Sequence, residues 1–98
     1  MKILQDELKS LQDIAHQNGC SWPDFQLVKK RGKLNISHSD IGSTFIFFRK
    51  TKSHLNSHGK FDEVSTYFVN AGSKLQNSTD WEMVMQAFNE WLKPIKQN

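Results

Sequence analysis

Few residues in this chain have both the type and the spacing to do chemistry. His54 and His58 stand in an H-x3-H arrangement. On a helix that spacing would put two imidazoles on one face for zinc. Here the pair lies in KSHLNSHGK, a Ser/Asn/Gly segment with no cysteine or carboxylate beside it, and the plainer reading is two solvated histidines. His16 is expected on the polar flank of a helix and His38 at a strand end. Cys20 is the single cysteine, so neither an internal disulfide nor a multi-cysteine metal site is expected. As a small residue at a helix–turn junction it reads as packing rather than as a nucleophile. Asp6, Glu7, Asp13, Asp62, Glu63, Asp80, Glu82 and Glu90 read as helix caps and solvated faces, with no pair placed as general acid and base. Gly32, Gly42, Gly59 and Gly72 are isolated and build no phosphate loop. No catalytic residue, metal ligand or cofactor site is expected, and the chain reads as a non-enzyme.

Charge is the stronger signal. From Lys29 to Lys60 there are eight Lys or Arg against one acid, Asp40, a local balance of +7 in a chain of net +3. The remainder therefore carries −4. Lys30, Arg31, Lys33, Lys50, Lys52 and Lys60 are the candidate residues for an anionic partner. The plain alternative is that lysines at hairpin tips keep strand edges from pairing with other chains.

The elements that must position these residues can be read from periodicity. TDWEMVMQAFNEWL, residues 79–92, predicts a helix. Trp81, Val84, Met85, Phe88, Leu92 and Ile95 recur at three and four, with Trp91 at the edge of the stripe. Thr79 and Glu82 have capping-box spacing, Asp80 complements the helix dipole, and Pro94 predicts a stop near Leu92 or Lys93. Residues 3–17 predict a second helix on Leu4, Leu8, Leu11 and Ala15, closed by Asn18 and Gly19. Pro23 marks the turn that follows, with Trp22 as an anchor for it.

Between the helices lie strand-like segments. Residues 25–29 and 34–38 flank a hairpin tip at Lys30–Lys33, where Gly32 supplies a positive φ. Residues 44–50, TFIFFRK, predict the strongest strand. Residues 52–60 read as a loop, 61–70 as the last strand, and 71–78 as a polar connection. The expected fold is α+β: an antiparallel sheet of three or four strands flanked by an N-terminal and a C-terminal helix, both on one face. With 98 residues and no internal repeat, the whole of 1–98 is expected to be one domain. In a meander the 30–33 and 52–60 connections share an end, so the basic residues should gather there. Two helices cover one face only. The other should carry either Phe45 and Phe47 or Ile46 and Phe48, beside Tyr67 or Val69, and either pair satisfies the alternation.

No stretch approaches a membrane span, and MKILQDELKS has no apolar run of the secretory kind. A cytoplasmic location is expected.

The order helix, β-meander, helix resembles the double-stranded-RNA-binding domain. That family opens its last helix with a lysine-rich segment that contacts phosphates. Here residues 77–82, NSTDWE, are acidic, so the residues that would carry that contact are missing. A second resemblance covers about the last forty residues: VSTYFVN at 64–70, DWEMV at 80–84 and FNEWL at 88–92. This looks like small α+β domains of uncharacterised bacterial proteins, some of them defence-associated, which implies a recognition or assembly module. The expected function is a non-enzymatic interaction domain for another macromolecule, first a protein: a bacterial accessory domain or a small phage- or plasmid-encoded inhibitor. The alternative is a nucleic-acid-binding module using the basic cluster, with weak, salt-sensitive affinity. A homodimer through the exposed sheet face is a further expectation.

Overall fold

The computed structural model describes residues 5–96. Helix α1 spans Gln5–Gln17, and a short 3₁₀ turn at Trp22–Asp24 leads into the sheet. Five strands follow: β1 Gln26–Lys30, β2 Lys33–Ser37, β3 Phe45–Leu55, β4 Phe61–Ala71 and β5 Lys74–Ser78. Helix α2, Trp81–Trp91, and a four-residue helix α3, Lys93–Lys96, complete the chain. The strands pair in sequence order, β1-β2-β3-β4-β5, all antiparallel. The class is α+β as expected, with five strands where three or four were anticipated. No helix among the described residues is long and apolar enough to cross a membrane.

The core is built on one sheet face. Leu34 and Ile36 of β2, Phe45 and Phe47 of β3 and Val69 of β4 meet Leu11 and Ala15 of α1 and Val84, Ala87, Phe88 and Trp91 of α2. Phe88 meets the Phe45 ring edge-on at 5.1 Å, and Trp81 does the same to Phe47 at 5.6 Å. Trp91, placed by periodicity at the margin of the stripe, is inside the core, and its indole N–H donates to Ser43 Oγ at 3.2 Å. Helix α1 ends at Gly19 with φ 76°, the left-handed conformation that Asn18-Gly19 predicted. The Asn18 amide then donates to Asn89 Oδ1 of α2 at 3.1 Å, tying the helices together.

Three local readings need correction. The cap of α2 sits one residue later than expected. Asp80, not Thr79, is the N-cap, its carboxylate accepting from the Glu82 N–H at 3.0 Å, while Ser78 Oγ accepts from the Asp80 N–H. Asp80 is the last residue with extended backbone before the helix, so its carboxylate is the group placed to accept from the second helical amide. Residues 74–78 form strand β5 rather than a polar connection. Residues 52–55, expected as loop, extend β3 opposite the anticipated 61–64 of β4, and the turn shrinks to Asn56–Lys60. There the Asn56 side-chain Oδ1 accepts from the N–H groups of both His58 and Lys60, at 2.9 and 3.0 Å. One side chain thus replaces the backbone partners a tight turn lacks.

Candidate interaction face

The two long strands place the basic and aromatic residues. Side chains alternate across a strand, so with Phe45 and Phe47 buried, Ile46 and Phe48 face the other way, onto a sheet face that no described element covers. The register fixes their neighbours. One row across the sheet reads Val28, Asn35, Ile46, Asn70, Leu75. In the next row outward, Lys30 is opposite Lys33, and Phe48 is opposite Phe68, which is opposite Asn77. Beyond these, Lys50 faces Thr66, Lys52 faces Val64 and His54 faces Asp62. Asp62 is the first acid met along this face.

Phe48 and Phe68 stack with ring centroids 4.8 Å apart and planes 7° from parallel. Lys33 Nζ lies 5.1 Å from the Phe48 centroid, and Lys50 Nζ lies 6.0 and 5.5 Å from Phe48 and Phe68. Three ring–ammonium contacts of this kind hold the lysine stems against the aromatic pair. The rings turn their flat faces to one another, with the lysine ammoniums over them. Beside them Val28 is 53% and Leu75 76% exposed. A shallow groove of about 300 Å³ runs between Ile46, Phe48, Phe68 and Leu75. At Phe68 it adjoins a second groove over Lys50, Lys52, His54 and Val64.

The sequence-derived residues separate accordingly. Phe45 and Phe47 are fully buried and belong to the core. Tyr67 and Val69 face the helices, so the expectation that one of them accompanies the exposed pair is overturned in favour of Phe68. Lys30, Lys33, Lys50 and Lys52 lie on the open face, and Arg31 is at the β1–β2 turn. Lys60 lies at the far tip, because β3 runs on past Lys33 by about eight residues, roughly 25 Å at ~3.3 Å each. The two connections therefore share an end of the sheet but are offset along it. Phe68, Val28 and Leu75 escaped sequence reading. Phe68 was accessible in principle, since a hairpin centred on His58 sets 48 opposite 68.

The root of the long hairpin is secured from the other side. Arg49 reaches the helix face and pairs with Glu7 of α1 at 2.6 Å. Glu7 is buried, and its Oε2 has no hydrogen-bond partner among the described residues. Burial pushes the Glu7 carboxyl above its ordinary value of 4.5, only partly opposed by the charge and hydrogen bond of Arg49. His54 and His58 are exposed, and no group of three or more His, Cys, Asp or Glu among the described residues could hold a metal ion.

Comparison with known families, with characterised proteins and with solved structures finds no match to this chain.

Proposed function

We propose that the chain is a non-enzymatic interaction domain that docks a protein partner on the open face of its sheet. One observation carries the reading: the apolar group of Ile46, Phe48, Phe68 and Leu75 around one groove, with Val28 beyond Asn35, on a face that no described element covers. Contiguous exposed apolar surface is costly to leave in water and marks contact sites. Branched aliphatic side chains and a stacked aromatic pair bury well against another protein. They suit base stacking poorly, because that needs a free ring face. The flanking lysines then sit on the rim, where charge steers association and selects an acidic partner more than it holds one. A cytoplasmic setting and a role as an accessory module of a bacterial defence system belong to the same proposal, the latter resting on the sequence resemblance alone.

Lys30, Lys33, Lys50 and Lys52 on one acid-free part of the face favour a second reading, nucleic-acid binding. Two measurements separate the readings. Affinity capture with the wild type and with Ile46→Glu/Leu75→Glu should return a partner that the double variant loses, with unchanged circular dichroism. Titration of labelled single- and double-stranded DNA and RNA at low and physiological salt should give weak binding that vanishes as salt rises. Tight binding at physiological salt, lost when Lys30, Arg31, Lys50 and Lys52 become Ser, would replace the protein reading with the nucleic-acid one.

A further inference from the structure

The sheet has a step in it. β2 pairs with Phe45–Phe47 of β3 and ends at Lys33, where the turn sends the chain back into β1. From Phe48 to Leu55, β3 has β4 on one side and no described strand on the other. In an antiparallel ladder each residue turns its N–H and C=O to the same side, alternately. About half of these residues therefore present both groups to the step, which is long enough for a strand of about eight residues.

The two outer edges of the long hairpin differ in charge. Phe48–Leu55 carries Arg49, Lys50 and Lys52 and no acid. Phe61–Thr66 on β4, beyond the reach of β5, carries Asp62 and Glu63 and no Lys or Arg. Like charges set opposite one another destabilise a strand pair, and opposite charges stabilise it. Lysines on an open edge accordingly reject a second copy of the same strand. The same charges accept an acidic one.

We propose that this step takes an extended acidic peptide segment of the partner protein as an added strand against β3. The inference rests on the protein-docking reading and names where and by what chemistry the partner is held. Backbone hydrogen bonds to Phe48–Leu55 supply affinity, and alternate side chains supply selectivity. Carboxylates at every second position meet Lys50 and Lys52 on the open face. The intervening residues pass over Thr51 and Ser53. Arg49 stays with Glu7 on the opposite side.

The test uses fluorescent eight-residue peptides and the full chain, read by anisotropy. The probes are alternating Glu-Val, alternating Lys-Val, and two Glu-Val peptides N-methylated on one or the other set of alternate amides. Glu-Val should bind at least tenfold tighter than Lys-Val. Methylation of the amides that face β3 should cost tenfold or more, while methylation of the outward set leaves binding intact. Lys50→Glu/Lys52→Glu, both at exposed positions, should reverse the preference to Lys-Val. Equal affinity for Glu-Val and Lys-Val, or no binding, overturns the proposal. So does indifference to both methylation patterns, which would leave side-chain attraction alone. Self-association of the free chain that Lys50→Glu/Lys52→Glu abolishes would make a second copy the occupant and overturn it too, as would displacement of Glu-Val by a tighter-binding RNA oligonucleotide. Ile46 and Leu75 lie outside the step. If their double variant still loses the captured partner while the peptides fail, only this inference falls.

Discussion

The β3–β4 hairpin is two structures end to end. In its inner part, Phe45 and Phe47 pair with Ala71 and Val69 beneath α2, and neighbouring strands flank both sides. In its outer part, Lys52–Leu55 and Phe61–Val64 pair only with each other and are exposed. The same β3–β4 register runs through both, but only the inner part is also hydrogen-bonded to neighbouring strands. Burial separates them further. The inner part is held by the core, and the outer part by little more than the ladder and the Asn56 turn. An isolated two-stranded ribbon is marginal in water. The outer part exists because the inner part anchors it. The extension also explains the shape: 54 Å long by 25 and 22 Å, with a radius of gyration of 15.0 Å against about 13 Å for a compact domain of this length.

The comparison breaks most readily at the core. Phe88→Ala should destabilise by about 3–5 kcal/mol, enough to unfold much of a small domain. Phe61→Ala, at a residue 73% exposed, should change stability by no more than ~0.5 kcal/mol. Denaturant melts of the two variants check the contrast, and equal losses would mean that the outer part contributes to the core.

The next largest effect lies at the junction. Arg49→Ala leaves the Glu7 carboxylate buried without its cation and should cost about 2–4 kcal/mol at neutral pH. The pH dependence has a definite sign. The Glu7 pKa is raised by folding, so the folded state binds the proton more tightly. The Glu7 contribution to stability is therefore fully present below the ordinary value of 4.5 and is lost as pH rises through the raised folded pKa. Arg49→Ala should steepen that fall and Glu7→Gln should remove it, as read from urea midpoints between pH 4 and 8.

A smaller effect is expected from removing the outer part. Joining Lys50 to Thr66, which are opposite one another in the ladder, through Asn-Gly should cost only ~1 kcal/mol, since that pair favours the required turn. Thermal melting within a few degrees of wild type is the expected result.

The smallest change sharpens the picture at the other hairpin. Arg31 and Gly32 both have positive φ, 54° and 76°, the mirror-image turn that matches strand twist. Arginine is strained there, so Arg31→Asn should gain about 0.3–1 kcal/mol. An unchanged or lower denaturation midpoint would count against that turn geometry.

Both helices, the Gly32 hairpin and the aromatic strand at 44–50 were legible because each follows a local rule: a period of 3.6 or 2, a terminator, a turn residue. The strand β5 was not, since Lys74–Ser78 has one large apolar residue and little strand propensity. Its one local signal was Gly72-Ser73 between paired ends, with Gly72 at φ 65°, a two-residue turn of the kind that opens on glycine. The outer end of β3 was hidden for a related reason. KSHL is largely polar, and only continuation of the ladder from a buried root, against the legible 61–64 segment, makes it a strand.

By itself the sequence determined the order of the two long helices and the first four strands, the charge asymmetry and the presence of two apolar sets on one strand. Which set is core was left to the tertiary structure. Period-2 alternation makes the two faces of Phe45–Phe48 equivalent until helices cover one. The packing of Phe88 and Trp81 on Phe45 and Phe47 broke that tie. It thereby turned Ile46, Phe48 and Phe68 outward among the lysines, where the candidate face is.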